Sequence, residues 1–165
     1  MKTLLNVSLM AVFLFVCING AQAQTAQAKL DQAALIKQFL GTWNCNIDKD
    51  TLEVWECKPY GDVHTTAVSL TIKGKKVDSY FNCAGFDKRD GKFKGILLFT
   101  NGDYYTWIGM FPSDKKFNVD IVDNLDPAKV LAKYEFEFMT PTSRTMTRFS
   151  AAGVKEKEYK YTKVK

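Results

Sequence analysis

The sequence is poor in the residues and motifs on which common active sites depend. Its 165 residues include one histidine, His64, and no acid or nucleophile stands near it in a recognisable catalytic spacing. Gly-x-Ser-x-Gly, His-Glu-x-x-His, phosphate-loop and paired Cys-x-x-Cys motifs are missing, so hydrolase, kinase and zinc-site interpretations have no support. We therefore predict no catalytic residue, cofactor or metal site, and favour a protein that is not an enzyme.

Long apolar segments are also scarce. An apolar stretch over residues 9–16 follows Lys2 and precedes the small-residue site Ala21-Gln22-Ala23, which predicts a secretory signal peptide over residues 1–23. The alternative, a lipoprotein modified at Cys17, is disfavoured by the bulky residue before that cysteine. No later segment reaches the roughly 20 apolar residues of a spanning helix. We expect an exported bacterial protein, periplasmic or extracellular, without a transmembrane segment.

The charge of the chain is only mildly positive. The formal net charge is +5, and removal of Lys2 with the signal peptide leaves +4 (5 minus 1). No basic run with interleaved aromatic residues is present, so a nucleic-acid partner is not expected. About 140 residues remain after the signal peptide, enough for one domain with a core of its own and too few for two.

Cysteine is scarce, and its count is odd once the signal peptide is removed. Cys45, Cys57 and Cys83 remain, and an exported protein meets an oxidising compartment. The first two lie on consecutive strand-like segments and would be directly opposite each other if the connecting turn centred near Thr51. This arrangement predicts a Cys45–Cys57 disulfide. The alternative is three buried thiols that behave as small apolar residues.

Helical periodicity is confined to one short segment near the start of the mature chain. Apolar residues recur at helical intervals between residues 27 and 40, which predicts a short amphipathic helix within an N-terminal segment, residues 24–40. Beyond it, segments rich in β-branched and aromatic residues alternate with turn clusters such as Asn101-Gly102-Asp103. That pattern is typical of an all-β domain, and we assign it to residues 41–165.

The strand-like segments number about nine or ten and are joined by short links, which favours antiparallel neighbours. Over residues 117–121 and 134–138 every second residue is apolar, so one face of each strand is expected to be buried. An open sheet of this size would leave two free edges and an uncovered apolar face, and closure removes both problems. We predict an all-β fold: an antiparallel up-and-down β-barrel of about eight to ten strands with a short N-terminal helix.

A short motif, Gly41-Thr42-Trp43, stands directly after the predicted helix. In this position, ahead of an all-β meander, it resembles the Gly-x-Trp motif of lipocalins and fatty-acid-binding proteins, the calycin group. The resemblance implies that Trp43 points inward at the closed end of the barrel. It also implies an arginine on a late strand, which Thr147-Arg148-Phe149-Ser150 supplies, although Ser150 replaces the tyrosine of the fatty-acid carboxylate clamp.

An inward Trp43 makes the predicted interior rich in aromatic residues. The predicted ligand-binding residues are Trp43, Phe99, Tyr105, Trp107, Tyr134, Phe136 and Arg148. We expect a lipocalin-like protein that binds a small apolar or amphipathic molecule, with an anionic molecule as one option. A barrel filled by its own side chains, acting as an envelope protein-interaction module, is the alternative. An enzyme or isomerase that uses the cavity is a third interpretation.

The orientation of two arginines bears on whether the ligand is anionic. Arg144, Met146 and Arg148 share one face of a predicted strand. If that face points inward, two buried guanidinium groups without nearby acids call for an anionic ligand. If the intervening residues point inward instead, both arginines are solvated. The family resemblance favours Arg148 as the internal arginine.

Overall fold

A short helical segment leads into the barrel. The computed structural model describes residues 30–164. Helix α1 comprises Gln32–Leu35 and continues directly as a 3-10 helix, Ile36–Phe39. The Asp31 carboxylate accepts a hydrogen bond from the backbone N–H of Ala34 (3.0 Å) and thereby caps α1. The predicted short N-terminal helix is confirmed.

Ten antiparallel strands follow the helix. They are β1 Gly41–Asn46, β2 Thr51–Tyr60, β3 Val63–Ile72, β4 Lys75–Asp87, β5 Lys92–Phe99, β6 Tyr104–Met110, β7 Lys116–Val122, β8 Val130–Thr140, β9 Ser143–Ser150 and β10 Lys155–Val164. Each strand pairs with its neighbours in sequence, and β1 also pairs with β10, so that the sheet closes on itself. The predicted closed antiparallel barrel is confirmed, with ten strands.

The two-residue period of the strands separates the interior from the outer surface. In β1, Trp43 and Cys45 are buried while their neighbours are more exposed. In β7, Phe117, Val119 and Ile121 are buried in the same alternation. Successive side chains of a strand point to opposite faces of the sheet, so the apolar alternation of the sequence becomes the barrel core.

The helical segment closes one end of the barrel through Phe39. The ring of Phe39 meets those of Phe138 and Phe136 edge to face, with centroids 4.9 and 5.2 Å apart. Gln32 ties α1 to the end of β6, because its amide donates to the Phe111 carbonyl (2.9 Å) and accepts from the Phe111 N–H (2.8 Å). The first strand therefore starts at a capped, aromatic-filled end.

Gly41 has a conformation that explains the glycine of the Gly-x-Trp motif. Its φ of +109° lies in a region that residues with a side chain rarely adopt. A Cβ built at this position would lie 2.6 Å from Cε of Lys163. The Lys163 ammonium lies over the Trp43 ring, 5.2 Å from its centroid. Glycine therefore lets the chain turn from the helix into β1 and leaves room for this lysine over the tryptophan.

The predicted Cys45–Cys57 disulfide is wrong. All three cysteines between residues 30 and 164 are free thiols. Cys45 lies opposite Glu53, and Cys57 lies opposite Gly41, four positions away along the ladder. That offset corresponds to roughly 13 Å, too far for a disulfide. The register centres the β1–β2 turn on Lys49 and not on Thr51, and a two-residue shift of the turn moves cross-strand partners by four.

The predicted signal peptide, residues 1–23, lies outside the described residues, and so does Cys17. Export to the periplasm or the extracellular space therefore stays a prediction from the sequence. Over residues 30–164, no helix has both the length and the apolar character needed to cross a membrane.

Candidate functional site

The barrel encloses a cavity of about 360 Å³. Most of the wall is apolar and comprises Ile36, Phe39, Ile47, Trp55, Leu97, Phe99, Trp107, Phe117, Val119, Ile121, Phe136 and Met146. The polar lining residues are Glu53, His64, Thr66, Tyr80, Asn82, Tyr134, Arg148 and Tyr159. A volume near the lower end of the range for ligand sites, lined by carbon with a few polar groups, suits one small molecule.

The cavity extends along the barrel axis away from the helix. Phe39 and His64 line its part near the helix-capped end. Ile47, just beyond the last residue of β1, and Arg148, near the end of β9, line the opposite part. The side chain of Arg148 is 48% exposed. We therefore regard the end near Arg148 as the mouth of the cavity.

Five of the seven predicted ligand-binding residues lie together in this wall. They are Phe99, Trp107, Tyr134, Phe136 and Arg148. Trp43 is completely buried, at 0% exposure, and does not line the cavity. Tyr105 is 39% exposed and reaches the wall only through its edge contact with Phe99, with ring centroids 5.8 Å apart. Trp43 therefore supports the closed end of the barrel, and Tyr105 lies on the inner face of β6 at its exposed start, outside the lining of the cavity.

Arg144 is the buried cation of the interior. It is 1% exposed, and its guanidinium nitrogens have no hydrogen-bond partner within the described chain. Its Cζ lies over five aromatic rings at 4.3 to 5.7 Å from their centroids: Phe39, Trp43, Trp55, Phe136 and Tyr161. Removal from water lowers the pKa of Arg144 to about 10, so the group is still charged at neutral pH. The ring faces supply the favourable contacts of this cation.

The expectation that Arg148 faces the interior agrees with its place in the cavity wall, but the arginine that is buried against Trp43 is Arg144. Met146 is buried and lines the cavity, so Arg144 and Arg148 both belong to the inward face of β9. Arg144 pairs with Tyr161 near the helix-capped end, whereas Arg148 lies at the mouth. The Arg148 Nε donates to Glu156 at 2.9 Å, and the Glu156 side chain is 42% exposed. Antiparallel pairing places the start of β9, and not its end, beside Trp43.

Glu53 is an interior carboxylate that the sequence analysis missed. It shares the inward face of β2 with Trp55 and Cys57, and it is the one carboxylate among the described residues that line the cavity. The buried Tyr161 hydroxyl donates a hydrogen bond to its Oε2. Burial, and then the charge of Glu53, raise the pKa of Tyr161, so that the phenol stays a proton donor. The sequence does contain a signal for this position, because the two-residue period of β2 places the acidic residue on the same face as apolar residues.

His64 lies on the inward face of β3 and is 8% exposed. Its Nε2 is 3.4 Å from Oγ1 of Thr66, which in turn lies 3.4 Å from the Cys57 sulfur. Burial, and then the charge of Arg144, lower the pKa of His64 to about 4. The imidazole is therefore neutral at neutral pH. Within residues 30–164, no carboxylate forms a hydrogen bond with this ring, so it offers a neutral polar contact to a ligand.

Gly95 makes room for the Trp107 side chain on the cavity wall. The two residues are cross-strand partners, and the Trp107 indole N–H donates to Asn82 at 2.8 Å. A Cβ on Gly95 would lie 2.3 Å from Cε2 of Trp107. The indole can lie flat against the wall only because residue 95 has no side chain.

We expect Gly95→Ala to lower the free energy of unfolding by about 2 kcal/mol, because the added methyl group overpacks the wall and displaces the indole. Urea denaturation measures the change. The control is Gly85→Ala, since a Cβ on Gly85 would meet nothing within 4 Å, and this variant should match the wild type. Equal effects of the two substitutions would contradict the role assigned to Gly95.

The cavity combines a carbon-rich wall with a few polar groups at separate positions. Glu53 and Arg148 provide charge, and His64 and Asn82 provide neutral hydrogen-bonding groups. In the part of the chain that the structure describes, no group of three or more His, Cys, Asp or Glu side chains is arranged to hold a metal ion.

Comparison of the chain with protein-family models and with curated proteins finds no match.

Proposed function

We propose that this protein is an exported, lipocalin-like carrier that binds one small apolar or amphipathic molecule inside its barrel. The observation that carries the proposal is the cavity of about 360 Å³ and its largely aromatic and aliphatic wall. Ligand sites in proteins are typically of this kind, with much apolar lining and a few polar groups that orient the ligand.

The same cavity weighs against a barrel filled by its own side chains. The aromatic clusters are concentrated around Phe39 and Arg144 at the helix-capped end, and the space lies beyond them. An interaction module would have no physical need for an apolar space inside the barrel. Unfilled apolar space costs stability, because the lining atoms lose contact partners, so an unused space is expected to be small.

Burial of ligand carbon against this wall would provide most of the binding free energy. About 200 Å² of apolar ligand surface, at about 25 cal/mol per Å², corresponds to roughly 5 kcal/mol before the entropic costs of association. The polar lining residues would then select among ligands of similar size. The signal-peptide pattern of residues 1–23 supports a site of action outside the cytoplasm.

A neutral fluorescent naphthalene derivative tests this function. We expect saturable one-to-one binding to the mature protein, with a blue-shifted emission that reports an apolar site. Leu97→Trp should weaken this binding at least tenfold, because Leu97 lines the cavity and the larger indole would fill part of it. Absence of saturable binding to the wild type would reject the carrier function.

The neighbouring Leu98 provides a matched control. Leu98 is exposed on the outer face of β5, where Phe81 of β4 and Tyr104 of β6 are its exposed cross-strand neighbours. Leu98→Trp introduces the same side chain outside the barrel and should leave probe binding unchanged. A loss confined to Leu98→Trp would instead place the probe on this outer apolar surface.

A further inference from the structure

We propose that the ligand of the cavity carries a protonated amine, and that the Glu53 carboxylate holds this amine within an aromatic wall. The inference rests on the proposed carrier function and specifies its ligand class. It assigns a recognition role to a residue on the inward face of β2.

The first argument is that Glu53 forms no ion pair with a lysine or arginine of the described chain, although the buried Arg144 cation lies within its electrostatic reach. Tyr161 donates to one carboxylate oxygen, Oε2, and holds the group in a defined orientation. No lysine or arginine within residues 30–164 forms an ion pair with Glu53. A carboxylate that is partly removed from water is stabilised by a cation or by further hydrogen-bond donors. A ligand ammonium supplies both the charge and the donors.

The second argument is the aromatic surrounding of this carboxylate. Trp55, Tyr80, Tyr134 and Tyr159 line the same cavity. The ring of Tyr161, whose hydroxyl donates to Glu53, lies 5.3 Å from that of Trp55, and the Trp55 ring lies 6.3 Å from that of Tyr80 (centroid to centroid). Aromatic faces attract organic cations, most strongly where water is excluded. An ammonium beside Glu53 therefore meets electron-rich rings as well as a carboxylate.

The third argument is that the two interior-facing arginines are already engaged. Arg148 donates to Glu156 at the solvent-exposed mouth, so its charge is balanced there. Arg144 does not line the cavity, because five aromatic rings enclose its guanidinium. Among the lining residues in the described part of the chain, the charge without an ionic partner is therefore negative. An anionic ligand would have to approach Glu53 or break the Arg148–Glu156 pair.

Three naphthalene probes that differ in one group test this inference by calorimetry at pH 7. They are the amine 2-(2-naphthyl)ethylamine, the alcohol 2-(2-naphthyl)ethanol and the carboxylate 2-(2-naphthyl)ethanoate. We expect the amine to bind at least tenfold more tightly than the alcohol, and the carboxylate to bind most weakly. Glu53→Gln should weaken amine binding about tenfold, to the level of the alcohol, and leave alcohol binding unchanged.

Tyr161→Phe is the control that distinguishes loss of the Glu53 charge from general damage to the fold. This variant keeps the carboxylate but removes its hydrogen-bond donor, so it should retain the preference for the amine. Equal affinities of amine and alcohol in the wild type would overturn the inference while leaving the carrier function in place. Tightest binding of the carboxylate, lost in Arg148→Gln, would overturn it in favour of an anion anchored at the mouth. Failure of all three probes would reject the carrier function itself, and the inference with it.

Discussion

Trp43→Ala is expected to lower the free energy of unfolding by about 4 to 5 kcal/mol, a large share of the stability of a typical domain. Trp43 is completely buried, and its ring lies 4.3 Å from the Arg144 guanidinium carbon. Its indole N–H also donates to the Phe39 carbonyl at 2.7 Å, which ties β1 to the helical segment. The substitution would leave a cavity, and the Phe39 carbonyl would lose its hydrogen-bond donor. The buried Arg144 guanidinium would also lose one of the aromatic rings that contact it. Urea denaturation followed by circular dichroism measures the loss.

Trp43→Phe is the matched control for this expectation. Phenylalanine keeps an aromatic face for Arg144 but cannot donate to Phe39, so we expect a loss of about 1 to 2 kcal/mol. A destabilisation by Trp43→Phe as large as that of Trp43→Ala would show that the hydrogen bond, and not the ring packing, dominates. A loss below about 1 kcal/mol in Trp43→Ala would contradict the supporting role of this residue at the closed end.

Acidification from pH 7 to pH 4 is expected to destabilise the barrel by roughly 3 kcal/mol through His64 alone. The pKa of His64 is about 4 in the folded protein and near the ordinary value of 6.5 in the unfolded chain. The unfolded chain therefore binds more protons between these values. The contribution of His64 to stability is complete above about pH 6.5 and is lost as the pH falls to 4. Burial is the main cause, and the positive charge of Arg144 adds to it.

His64→Gln isolates this effect from the titration of surface carboxylates. Both proteins keep the same carboxylates, among them Asp87, whose pKa the hydrogen bond from Arg89 holds well below its usual range. The difference in unfolding free energy between the wild type and His64→Gln should change by roughly 3 kcal/mol between pH 7 and pH 4. A constant difference over this range would show that His64 is accessible to protons in the folded state.

The cavity assignment illustrates what strand periodicity can predict. Strand alternation, together with an inward Trp43, predicts that Phe99, Trp107, Tyr134 and Phe136 face the interior, and all four line the cavity. The same alternation predicts Tyr105 inside, but its position near the start of β6 leaves it 39% exposed and outside the lining of the cavity. Periodicity predicts the face on which a side chain lies. It does not predict whether that part of the face borders an enclosed space.

Glu53 shows a second limit of the sequence. An acid in a strand usually lies on the solvent side, so its residue type alone does not predict that Glu53 faces the interior. Its role depends on Tyr161, 108 residues later in the chain, whose hydroxyl donates to it across the closed barrel. Contacts between strands so far apart in sequence arise only when β1 pairs with β10.

By itself the sequence determined the closed antiparallel barrel, its short N-terminal helix and the inward direction of Trp43. The barrel and the helix follow from local signals, namely the helical and two-residue periods and the turn residues between strands. The inward direction of Trp43 follows from the resemblance of Gly41-Thr42-Trp43 to the Gly-x-Trp motif. Only the tertiary structure decided that Arg144 and not Arg148 packs on Trp43, that Cys45 faces Glu53, and that Glu53 lines the cavity. These properties depend on strand register, and a two-residue change in a turn moves every cross-strand partner by four positions along the ladder.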